Sequence, residues 1–79
     1  GAVFKRLQEH LQRAVPDVPP MELFWRVQFS LGAVIFTLSG MQSLQAISKA
    51  DFNLDVSAAD ITRRLLPFLV GGIQADVPE

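Results

Sequence analysis

The chain has 79 residues, 49% of them apolar and 19% charged, with seven Lys and Arg against eight Asp and Glu for a net charge of −1. That balance, with no basic run and a pI near 5.7, excludes the electrostatic footprint of a nucleic-acid binder in this segment itself. The absence of cysteine excludes a disulfide framework and a zinc-thiolate site. A single domain of this length buries only about 60% of its unfolded surface, and ordinary globular chains carry about 25% charged residues. So apolar a chain is therefore expected to bury surface between subunits or segments.

The sequence opens Gly1-Ala2-Val3-Phe4, with neither an initiating Met nor a signal peptide, as though already inside a helix, and so reads as a piece of a longer protein. Residues 2–15 set Val3, Phe4, Leu7, Leu11, Ala14 and Val15 on one face and Lys5, Glu9 and Gln12 on the other, which predicts an amphipathic helix. Pro16 stops it. The stiff PDVPP connection follows, and Pro20 fits the first position of a second helix, with Glu22 near the positive end of its dipole.

That second helix is expected over 20–39, with a kink or break at Ser39-Gly40 and a continuation to 49 carrying Met41, Leu44 and Ile47. Arg26, Ser30 and Thr37 share one narrow stripe of it, and apolar side chains cover almost everything else. A helix so apolar needs cover on several sides. The candidates are a second chain, the remainder of a longer protein, an apolar ligand or a bilayer. No charge falls between Val27 and Ser48, long enough to span about 30 Å of hydrocarbon. The segment nevertheless holds Gln28, Gln42, Gln45 and four serines, so a membrane location is not expected.

Ala50 to Val56, with Asp51, Asn53 and Asp55, reads as a loop from which Phe52 and Leu54 tuck back as plugs. Ser57 and Asp60 resemble a capping box, predicting a last helix over 58–75. Ile61, Leu65, Phe68, Leu69, Gly72 and Ile73 form its apolar face, Pro67 is expected to bend it, and Asp76 to Glu79 reads as a disordered tail. The fold class is all-α, a helical bundle of one domain over 1–79.

Chemistry is thin. His10 is the only histidine and stands near no nucleophile or orienting acid, so no catalytic residue, metal site or cofactor is expected, and an enzyme is the weakest class. Val70-Gly71-Gly72 ends a helix and is no phosphate cradle. Phe24, Trp25, Phe29 and Phe36 read first as core packing. The sharper reading makes Trp25, Gln28, Phe29 and Phe36, with His10 as a polar contact, part of an apolar ligand cavity. Arg26 must find a carboxylate, for which Glu22 one turn earlier is the local choice, or must link to a further segment or chain.

The run Pro19-Pro20-Met21-Glu22-Leu23-Phe24-Trp25-Arg26-Val27-Gln28-Phe29, with Gly32-Ala33, Leu38-Ser39-Gly40 and Arg63-Arg64-Leu65-Leu66-Pro67-Phe68-Leu69-Val70-Gly71-Gly72, resembles the C-terminal regulatory domain of TetR-family transcriptional repressors. The resemblance covers nearly the whole chain. It implies a cytoplasmic homodimer whose last two helices pair with their counterparts in a four-helix bundle. It also implies a small apolar effector, and DNA contact only through an N-terminal helix-turn-helix domain that these residues lack. The intersubunit seam is then expected at Leu31, Ile35 and Leu38 with Leu65, Phe68, Leu69, Gly72 and Ile73. A small apolar-ligand carrier and a membrane-associated hairpin are the alternatives that the residues leave open.

Overall fold

Prolines set where the chain turns. In the computed structural model, which describes residues 1–79, α1 (Ala2–Ala14) ends just before Pro16 and α2 (Pro20–Ser39) begins on Pro20, with Glu22 in its first turn. The connection is fastened by Gln12, whose side-chain amide donates to the carbonyls of Val15 (3.2 Å) and Val18 (2.8 Å). Gln8 donates to the carbonyl of Pro20 at 3.2 Å.

Gly40 separates α2 from α3 (Met41–Phe52). Its N–H donates to Phe36 and its carbonyl accepts from Leu44, both at 2.9 Å, so the helical ladder continues through a local break. A Cβ at Gly40 would stand 3.2 Å from the Phe36 carbonyl oxygen, and glycine removes that crowding. The expected break is therefore where the sequence placed it, but the helix after it is longer. The expected loop over 50–56 is corrected at its start: Ala50, Asp51 and Phe52 complete the last turn of α3, and Asn53 ends the helix in the left-handed region (φ 54°, ψ 37°). Its N–H donates to the Lys49 carbonyl at 3.0 Å. Asparagine tolerates that conformation and serves as a helix stop. Phe52 and Leu54 do not tuck back either, being 70% and 58% exposed. α3 packs on α2, and Phe52 at its far end is left exposed.

α4 (Ala58–Gln74) starts with a full capping box: the Asp60 N–H donates to Ser57 Oγ (3.1 Å) and the Ser57 N–H to Asp60 Oδ2 (3.3 Å). These bonds, with Arg63 and Arg64 nearby, hold the Asp60 carboxyl below the usual carboxylate range. Pro67 lies inside an unbroken α4 on an exposed face, where water reaches the carbonyl left without its helical donor.

α2 is the hub on which α1, α3 and α4 each pack. The core is small: Val18, Leu23 and Val27 are buried at the junction of α1, α2 and α4, backed by Leu11, Val15, Leu31 and Ile73. The radius of gyration is 15.2 Å, against roughly 12 Å for a compact chain of this length. The chain is an open layer of helices with much of its apolar surface uncovered.

Candidate functional site

The polar stripe of α2 faces inward. Arg26 is 7% exposed, and Ser30 and Thr37 are half-buried against the rest of the chain. The outward side of α2 carries Phe29 (68% exposed), Ile35 (63%) and Phe36 (68%). This orientation holds because the buried cation is fully partnered. Arg26 Nε donates to Glu22 Oε1 at 3.3 Å, Nη1 to the carbonyls of Ile73 (2.8 Å) and Ala75 (2.6 Å), and Nη2 to that of Asp76 (3.1 Å). The last carbonyls of a helix have no partner within it, and they carry the negative end of its dipole. Arg26 thus pairs with Glu22 as the spacing predicts and also caps α4, which spacing could not reveal. The last of these bonds corrects the reading of the tail at its start: Asp76 is held against α2 rather than free.

Two concavities flank the α2–α4 pair. One is a groove of about 380 Å³ between α1, α2 and α4, walled by Leu7 and Leu11, by Val27, Leu31 and Val34, and by Leu69, Val70 and Ile73. Its polar members are Ser30 and Gln74. On the other flank a hollow of about 500 Å³ is bordered by Arg26, Phe29 and Ser30 from α2 and by Pro67, Phe68, Gly71 and Gly72 from α4.

The five residues named from the sequence for a ligand cavity are not gathered in the groove. Trp25 stacks on Phe29 (centroids 6.1 Å apart, planes at 28°) and meets the edge of Phe24 at 5.4 Å, on the outward side of α2. Gln28 and Phe36 are exposed on that helix, and His10 is exposed on α1. Only Phe29 borders a concavity, the second one. The eight seam residues divide. Leu31, Leu69 and Ile73 wall the groove and Leu65 is half-buried, whereas Ile35, Leu38, Phe68 and Gly72 are exposed. Sequence reasoning did not assign Leu7, Leu11, Val15, Val27 or Val34 to a site. The signal for the first three was present in the apolar face of α1, but their position opposite α4 depends on how the PDVPP turn folds α1 back.

The chain is thus an all-helical domain built around one apolar helix, with one apolar groove, a second hollow beside Arg26 and a broad uncovered face. Residues 1–72 match the family described as Tetracyclin repressor-like, C-terminal domain, and the chain belongs to that family. Domains of this kind are the ligand-sensing and dimerisation parts of transcription regulators, which are not enzymes. No curated protein and no solved structure matches the chain.

Proposed function

We propose that residues 1–79 form the homodimerisation and effector-response module of a cytoplasmic TetR-like repressor that binds operator DNA through a helix-turn-helix domain outside these residues. The observation that carries the reading is the uncovered aromatic face. Trp25 (49% exposed), Phe29 (68%), Phe36 (68%) and Phe68 (71%) project from α2 and α4. At 150–250 Å² for each whole side chain, their exposed parts sum to roughly 500 Å². That is most of the apolar core expected in the about 800 Å² each partner contributes to a stable interface. It also stands at the upper end of the patches found on monomers, about 300–600 Å².

The seam of this proposal is narrower than the one expected from sequence. Phe68 and Gly72 remain at its centre, Phe29 and Phe36 join it, and Ile35 and Leu38 extend it along α2. Leu31 and Ile73 pack against the chain's own core, and Leu65 and Leu69 are half-buried, so the four fall outside it. In such a dimer the two DNA-reading heads are held at a spacing matched to operator half-sites. A small apolar effector that favours another head separation weakens DNA binding only by its difference in affinity for the two arrangements. Sedimentation equilibrium at micromolar concentration tests the association: wild type is expected as a dimer and Phe68→Glu as a monomer of unchanged helicity. A wild-type monomer contradicts the reading.

A further inference from the structure

We propose that Ala75 to Val77 form a releasable strap, clasped by Arg26, at the end of the molecule where α1 and α4 both finish. The proposal concerns the single chain and rests neither on the dimer nor on a ligand. Past Gln74 the backbone turns extended (Ala75 φ −60°, ψ 155°), and no backbone–backbone hydrogen bond joins residues 75–79 to the rest of the chain. Two bonds from a side chain hold the strap instead. Arg26 Nη1 donates to the Ala75 carbonyl at 2.6 Å and Nη2 to the Asp76 carbonyl at 3.1 Å. Both come from one buried guanidinium, so the strap has a single clasp.

A third concavity, of about 310 Å³, lies between the turn Pro16, Asp17 and Val18 and the strap residues Ala75, Asp76 and Val77. It shares Ala14, Val15 and Gln74 with the groove, so the two meet end to end at the C-terminal turns of α1 and α4. The strap is one wall of this end hollow, and Val77, 40% exposed, is its apolar anchor there. Hydrogen bonds from a charged donor are stronger than neutral ones, but ordering three residues opposes them with an entropy loss of the same order. A segment held so lightly opens locally while the fold persists. Opening uncovers Val18, a member of the small core. Ile73 ties this motion to the groove: its side chain walls the groove, and its carbonyl accepts from the same Nη1 that holds Ala75. A shift of the last turn of α4 against Arg26 therefore loosens the strap, and a loosened strap frees that turn.

Nitrogen-15 relaxation dispersion on the wild-type chain tests the strap without a variant. The amides of Ala75, Asp76 and Val77 are expected to exchange between two states at one rate, shared by Asp17, Val18 and the Arg26 Nε–H and absent from Ile47 on α3. Val77→Gly, which leaves Arg26 in place, is expected to raise the open population about threefold with helicity unchanged. The same variant should increase the paramagnetic relaxation that the neutral agent 4-hydroxy-TEMPO gives to the Val18 methyls. The Leu23 methyls, fully buried in the core, should show no increase. Strap amides as rigid as those of α4, random-coil shifts with no closed state, exchange at a rate that Arg26 does not share, or an equal increase at Leu23 overturns the proposal. Each of these readings comes from one chain in its own fold, so the outcome is distinguishable from success or failure of the dimer.

Discussion

The guanidinium of Arg26 donates to the carbonyl of Ile73 across 2.8 Å, joining the inward stripe of α2 to the C-terminal turn of α4, 47 residues away in sequence. Around it lie Glu22 and the carbonyls of Ala75 and Asp76, so one buried side chain satisfies a carboxylate and three backbone acceptors. Removing it leaves those acceptors unpartnered beside the small core. Arg26→Met is therefore expected to destabilise the fold by about 3 kcal/mol. Arg26→Lys should recover only part, because an ammonium cannot present a planar fork to several carbonyls at once. Denaturant unfolding followed by circular dichroism measures both, and equal stability of wild type and Arg26→Met would contradict this account of the junction.

The capping box gives a pH-dependent component at the other end of α4. The Ser57 backbone and hydroxyl bonds, reinforced by Arg63 and Arg64, lower the Asp60 pKa. Its stabilisation is thus fully present above the ordinary carboxylate pKa and is lost as pH falls through the lowered folded value. Asp60→Asn should flatten that acid-side loss, as seen in thermal melts across the acid range. Ser57→Ala should cost about 1 kcal/mol at neutral pH, the usual value of an N-cap.

Gly72 gives a prediction in which two properties move in opposite directions. A Cβ there meets nothing within 4 Å in its own chain, and alanine is better than glycine in a helix interior by about 1 kcal/mol. Gly72→Ala should therefore raise the helicity of α4. If Gly72 lies at the centre of the seam, the added methyl also holds the partner's backbone off, so self-association should weaken. Paired dichroism and sedimentation measurements check both, and a variant that gains helicity with unchanged association removes Gly72 from the seam.

The helices were legible because their signals are local. Pro16, Pro20, Gly40 and the Ser57–Asp60 pair each mark a boundary through a donor removed, a crowded Cβ avoided or a cap supplied within a few residues. The end of α3 was misread because Asp51 and Asn53 favour turns as well as helix ends, and only the left-handed φ of Asn53 distinguishes the two. The direction in which α2 faces was not legible. The stripe of Arg26, Ser30 and Thr37 does not itself say which side of α2 packs, and only the long-range bonds of Arg26 make the polar side the inner one. That orientation turns Trp25, Phe29 and Phe36 outward and gives the groove to aliphatic residues of α1, α2 and α4. The seam residues divided for the same reason: Leu69 and Phe68 are neighbours in sequence, yet the first is half-buried between the two concavities and the second is 71% exposed.

The most direct test of the central claim, that an identical copy covers the outward aromatic face, is an isotope-filtered NOE experiment on a mixture of labelled and unlabelled chains. The account predicts intermolecular contacts from the Phe68 ring to Gly72 and Phe29 of the other copy, and none from Leu23. Phe68 resonances with intramolecular contacts alone, at concentrations where the chain is fully folded, would contradict it.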